Sequence, residues 1–447
     1  MSIVKDGRTT TVTNGAGEAT AYKFDKNNNI KSITKDDKEV ASYTYDGLEQ
    51  LIRENDATSN RTYVYKYDKG GNISSKKVYA YTTGTISTDP VDAITYKYGD
   101  SNWKDLLTSY NGQTITYDEV GNPLQYRDGM NFTWKNGRSL ATATTSAGDN
   151  ISYQYNKDGI RTSKTVNGTT TKYQLEGSDI VRETTDNSTI WYLYDENKEL
   201  LGLNIDGVSY YYEKNLQGDV IGLVDNQGNT VVTYSYDAWG NVTKVIGDKT
   251  LAKQNPFRYR SYYYDEELGL YYLQSRYYDS QVGRFINADD VNVMATAKKG
   301  LKGANLFEYC ENNPVNKEDP TGYNPFSSIV KSIKRFFMGC KKLTLKQVVF
   351  IIGTVIITIW RAVKKIIAIN KKYKIFKKLL SSPNKIKFIF RQFRLIFKQV
   401  LLAVNYIKNA IIAAIRIIKY NWKASLIILA TVLATATFLT LSRIKAK

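Results

Sequence analysis

Along most of this chain apolar and polar positions alternate, with aromatic residues two apart followed by an acid or amide and then a turn. The units read YKFDKNNNI from Tyr22, YTYDGLEQL from Tyr43, YKYDKGGNI from Tyr65, ITYDEVGNPL from Ile115, YQYNKDGIR from Tyr153, YLYDENKEL from Tyr192 and YSYDAWGNV from Tyr234. A period of two buries one face of a strand and wets the other. Asp or Asn followed by Gly or Asn supplies residues that tolerate positive φ. The repeat, roughly twenty to thirty residues long, therefore predicts hairpin after hairpin over residues 1–257. A lone hairpin is marginal in water, so the units must pair side by side into a long sheet. The expected class is mainly β, a spiral of hairpins. Each Tyr-Asp unit is read as scaffold first, and sugar binding by exposed rings second.

From Arg258 to Asp289 the alternation tightens: RYRSYYYDEELGLYYLQSRYYDSQVGRFINAD carries eight tyrosines in thirty-two positions. This stretch, extended to residue 323, reads as a closing element between two unlike domains.

Beyond Tyr323 the period changes. FSSIVKSIKRFF places Ile329, Ile333, Phe336 and Phe337 on one helical face. Val348 to Trp360, which includes Ile352 and Ile356, runs thirteen residues without a charge. That is short of the roughly twenty needed to span a bilayer, unless Leu343 to Gln347 joins it with a snorkelling Lys346. After Ser381-Ser382-Pro383-Asn384, Lys387, Arg391, Arg394 and Lys398 begin a basic stripe that continues through Lys408, Arg416 and Lys419. A long basic amphipathic helix suits a membrane surface or a pore lining. Ala424 to Leu441, containing Leu426, Leu429, Leu433 and Phe438, is eighteen residues without a charge and is a candidate transmembrane helix. Residues 324–447 are expected to be all-α.

Charge sharpens this division. The chain of 447 residues has a formal charge of +19, yet residues 324–447 hold 26 Lys plus Arg and no Asp or Glu, leaving 36 basic against 43 acidic residues before them. So many uncompensated cations oppose a soluble domain and favour an anionic partner. A lipid bilayer is the preferred one, because the lysines alternate with Ile, Leu and Phe; nucleic acid is the alternative. A third reading makes the tail only a membrane tether. There is no histidine, which excludes Ser-His-Asp and Cys-His triads and histidine metal ligands. Two cysteines give no disulfide framework. No cofactor or metal is expected. The opening MSIVKDGRTT lacks the pattern of a signal peptide, so either export follows another route or this is the C-terminal part of a longer product.

The repeats, the closing stretch and the following ANLFEYCENNPVNKEDPTGY together resemble the YD-repeat, or RHS, proteins and their repeat-associated core domain. The resemblance implies hairpins coiled into a hollow shell (1–257), a core domain plugging one end (258–323) and a variable C-terminal effector (324–447). It further implies a secreted or cell-surface polymorphic toxin, a cognate immunity protein, and further shell wall preceding this part. In many members of the family the core domain is an aspartic autoprotease that cuts after a DPxGL-like motif. The matching positions are Asp289, Asp319 and Arg284, with cleavage after Tyr323. Two carboxylates sharing a proton can activate water for amide hydrolysis, with a neighbouring arginine keeping one of them ionised. The family's Asp-Pro after GRF is Asp289-Asp290 here, and Tyr323 replaces its usual Leu. The plainer reading is that Asp289 and Asp319 hold turns.

Overall fold

In each Tyr-x-Tyr-Asp unit the aspartate builds the turn. Asp68 Oδ1 accepts the N–H groups of Gly70 and Asn72 at 2.8 and 2.9 Å, its own N–H bonds the Asn72 carbonyl, and Asn72 Nδ2 returns to Asp68 Oδ2 at 3.0 Å. Asp25, Asp46, Asp118, Asp195, Asp225 and Asp237 repeat the backbone part of this pattern, and Asn156 and Asn215 substitute for Asp in two more. The fourth residue of the turn is left-handed every time, which explains the glycines at 71, 121, 228 and 240. The computed structural model describes residues 2–14, 17–86, 88–289, 305–323 and 326–327.

The two tyrosines of a unit have different tasks. The first points inward: Tyr22, Tyr65, Tyr153, Tyr192 and Tyr234 are all buried. A register shift then precedes the second, as between Lys66 and Tyr67 or Ser235 and Tyr236. The second hydroxyl donates to the carbonyl that begins a strand of the preceding hairpin: Tyr45 to Ile30 at 2.8 Å, Tyr67 to Leu51 at 2.6 Å, Tyr98 to Ile73 at 2.9 Å and Tyr236 to Val220 at 2.6 Å. One ring fills the core and the next staples neighbouring hairpins together. The scaffold reading of these units therefore holds.

The hairpins form two antiparallel sheets in which every strand pairs with its sequence neighbours, eleven strands from Ser2–Asp6 to Gln113–Thr114 and fourteen from Thr116–Tyr117 to Val242–Gly247. The second sheet curls until its last turns reach the first. Tyr22 Oη accepts from Leu216 N at 3.3 Å, Glu54 Oε1 from Ala238 N at 2.8 Å, and Lys76 pairs with Asp237 at 3.5 Å. Asn14 closes the outside of this seam on Glu213 at 3.1 Å.

Residues 257–289 and 305–323 lie inside the coil. Tyr192 packs on Phe257 with ring centroids 4.8 Å apart, Tyr173 on Tyr263 at 5.8 Å and Tyr153 on Tyr277 at 6.1 Å. The inward rings of the wall thus meet the closing element, which fills this part of the coil.

Candidate active site

Three kinds of contact fix the closing element. Arg161, fully buried, forks onto Asp265 at 2.5 and 3.2 Å, and its guanidinium lies 4.3 to 5.3 Å from the ring centres of Tyr272, Tyr263, Tyr173 and Tyr153. Lys164 adds an ion pair to Asp265 at 3.1 Å. Burial works to raise the Asp265 carboxyl, but Arg161 and Lys164 outweigh it and hold that carboxyl below its ordinary value. Second, the backbone carbonyls of the 237–241 turn are taken by closing-element tyrosines: Tyr259 on Ala238, Tyr278 on Trp239 and Tyr271 on Gly240. Third, asparagines meet the fifth residue of successive wall turns, Asn313 on Asn29, Asn312 on Gln50 and Asn305 on Asn72.

This framework brings Asp289 and Asp319 together. Arg276 Nη2 lies 3.0 Å from Asp289 Oδ2 and 3.4 Å from Asp319 Oδ2, and all three side chains are buried. Arg276 Nε donates to the carbonyl of Gly322, and Nη1 to that of Leu306 at 2.9 Å. Its guanidinium sits 3.5 Å from the ring centre of Phe285. Burial, chiefly, brings the Arg276 guanidinium below its ordinary value, with Asp289 and Asp319 opposing and the nearby Arg138 adding to the fall.

The motif ending at Tyr323 is held as a loop across these carboxylates. Asp319 Oδ1 accepts Tyr323 N at 3.1 Å, which realises the plain turn-holding role, and Tyr262 Oη accepts Asp319 N at 2.7 Å. Ser275 donates to the Thr321 carbonyl from both N, at 3.3 Å, and Oγ, at 2.7 Å. Gly322 has φ of 74°, and a Cβ there would meet Ser275 Oγ at 2.5 Å, so the motif requires glycine. Past the loop the chain doubles back: Phe326–Ser327 pairs antiparallel with Lys317–Glu318. A cleft of about 410 Å³, lined among others by Arg138, Asp158, Ser275, Arg276, Asp289 and Tyr323, opens beside it.

Arg284, expected beside the carboxylates, is engaged elsewhere. Its Nη2 donates to the Asp105 carbonyl at 2.7 Å and its guanidinium lies over Tyr98 and Phe307. The arginine at the pair is Arg276, which the Tyr-rich alternation passed over, and Ser275 and Arg138 went unnoticed with it. Cys310 is a buried thiol pushed well above its ordinary value by burial and then by Asp319. The positions expected to enter a membrane, from Val348 to Phe438, and Asp290 lie outside the described residues. Among the described residues no helix is long and apolar enough to cross a bilayer.

Two long antiparallel sheets of YD hairpins packed on a closing element fit a β-shell. Residues 178–315 match the Teneurin YD-shell family, and the chain belongs to the YD-repeat, or RHS, proteins. It is 33% identical over 357 residues to the tRNA3(Ser)-specific nuclease WapA of Bacillus spizizenii, a match covering 71% of this chain and 14% of that protein. It is 25% identical over 330 residues to double-stranded DNA deaminase toxin A of Burkholderia cenocepacia, covering 63% and 22% respectively. The chain thus spans under a quarter of the length of these relatives. Its fold is similar to a chain of the Photorhabdus luminescens Tc holotoxin pore, with a TM-score of 0.56 and 19% identity over 71% of this chain and 17% of that one. It is also similar to TcdB2-TccC3 without its hypervariable C-terminal region, with a TM-score of 0.54, 20% identity, and 70% and 17% coverage.

Proposed function

We propose that this chain is the closing part of a polymorphic-toxin shell that cuts itself after Tyr323 and hands on residues 324–447 as an effector. The observation that carries this reading is one guanidinium, Arg276, on both carboxylates and on the carbonyl of Gly322, one residue before the bond to be cut. Asp289 and Asp319 share a proton; the ionised member takes a proton from water as the water oxygen bonds to the Tyr323 carbonyl carbon. The carbon–nitrogen bond to Asn324 then breaks as the protonated carboxyl gives its proton to the leaving amine. Arg276 keeps one carboxylate charged and fixes the loop, so proximity supplies much of the rate.

For the effector, the named activities of the relatives fall on tRNA and double-stranded DNA. They favour nucleic acid over a bilayer as the target, and the 26 cations without an acid suit phosphate. Any chemistry there would rest on Lys, Tyr, Ser or Cys340, since the segment has neither acid nor histidine. Membrane insertion stands as a second reading because of the uncharged runs Val348–Trp360 and Ala424–Leu441. Such a toxin acts outside the cell that makes it, alongside a cognate immunity protein and further shell wall. The test incubates the purified chain with tRNA, duplex DNA and dye-loaded anionic vesicles. Binding or modification of nucleic acid without leakage supports the first reading; leakage with nucleic acid untouched replaces it with the second.

A further inference from the structure

Two wall turns far upstream grip the residue that precedes Asp289. Ala288 N donates to the Gly121 carbonyl at 3.2 Å, and the Ala288 carbonyl accepts from Arg138 Nη1 across 150 residues of sequence. The two turns are themselves joined, because Asn122 Nδ2 donates to the Gly137 carbonyl at 2.7 Å. Ala288 is fully buried in this grip, and Asp289 N continues to the Leu306 carbonyl at 2.9 Å. The backbone that carries one carboxylate is therefore held on one side by the wall and on the other by the closing element. Arg138 also lines the cleft that holds Asp289, Arg276 and Tyr323, and its charge is felt at Arg276.

We infer that Arg138 is a positioning residue for self-cleavage, supplied by the wall, so that the cut is made only once the hairpins around residues 118–144 have folded over the closing element. This rests on the self-cleavage reading above. Without Arg138 the Ala288–Asp289 peptide keeps the bond from Asp289 N to the Leu306 carbonyl but loses the one that fixes its own carbonyl, and Asp289 shifts relative to Arg276 and the Gly322 carbonyl. A displacement of about 1 Å at a reacting group lowers a rate by on the order of 100-fold. The arrangement ties release of the effector to completion of this part of the coil, which prevents a half-folded chain from shedding its cargo.

The full chain is refolded from urea, and loss of the uncut species is followed on denaturing gels for wild type, Arg138→Ala and Arg138→Lys, each checked by its thermal melt. Arg138→Ala is expected to fold and to cut about 10- to 100-fold more slowly, with Arg138→Lys recovering part of the rate because its ammonium can still donate to Ala288. Wild-type cleavage with Arg138→Ala equally fast overturns the positioning role and leaves self-cleavage standing. A wild-type chain that is never cut overturns both. Should Arg138→Ala fail to fold, Arg138→Met, which fills much of the same space without a donor, takes its place; a Met variant that folds and cuts at the wild-type rate overturns the positioning role.

Discussion

Glu54 accepts a hydrogen bond from the backbone N–H of Ala238, 184 residues further along the chain, at 2.8 Å. This bond closes the coil, and it does so in a buried site where Glu54, Asp56 and Asp237 face the single ammonium of Lys76, with Tyr65 Oη 3.5 Å away. Burial first, then Asp237 and Asp56, push the Glu54 carboxyl well above its ordinary value of 4.5, against the opposing pull of Lys76. The folded coil therefore binds this proton more tightly than the unfolded chain. Its stabilisation is complete below about 4.5 and is lost as pH rises through the raised value, at up to about 1.4 kcal/mol per pH unit. Urea unfolding of the full chain from pH 5 to 9 should show stability falling with pH, and Glu54→Gln should flatten that fall. A wild-type profile no steeper than the variant's would remove the proton from the seam.

Arg161 provides the opposite dependence. Its partner Asp265 is held below the ordinary carboxylate value, so that contribution is present above about 3.8 and fades as pH drops through the depressed value. Replacing Arg161 with Met leaves Asp265 buried with Lys164 alone. Breaking a buried pair from one side costs about 3 to 5 kcal/mol, and denaturant titration should show a loss of that size. A loss under about 1 kcal/mol, the range of an exposed pair, would mean the cage of tyrosines packs well without its charge.

Gly228 and Gly240 occupy the same left-handed turn position in different surroundings. A Cβ on Gly228 meets nothing within 4 Å, whereas one on Gly240 would come within 2.5 Å of the Tyr259 ring. Gly228→Ala should cost only left-handed strain, about 1 to 2 kcal/mol. Gly240→Ala should cost about 1 to 3 kcal/mol more through overpacking. Equal losses in paired thermal melts would show that the closing element does not press on that turn.

The hairpins were legible because a period of two, Asp at the turn start and glycine at its fourth residue are local signals. What the second tyrosine does was not legible, since its partner carbonyl belongs to the preceding hairpin. Nor could alternation tell rings that line a hollow from rings packed on a closing element; Tyr173 and Tyr192 read the same either way. Asp289 and Asp319 were reached through resemblance, and the structure places them together on one guanidinium. Arg284 was reached the same way, through GRFINAD, and only the fold decides which guanidinium faces the carboxylates: Arg276 does, and Arg284 bonds the Asp105 carbonyl. Arg138 carries no local signal at all, because its contact spans 150 residues.

The intact mass of the purified chain tests the central claim most directly. If the Asp289–Arg276–Asp319 cluster cuts the loop above it, the 50.8 kDa chain resolves into two fragments meeting between Tyr323 and Asn324, and Asp289→Asn stays whole. A folded wild-type chain that keeps its full mass, or one that Asp289→Asn cuts at the same bond, contradicts it.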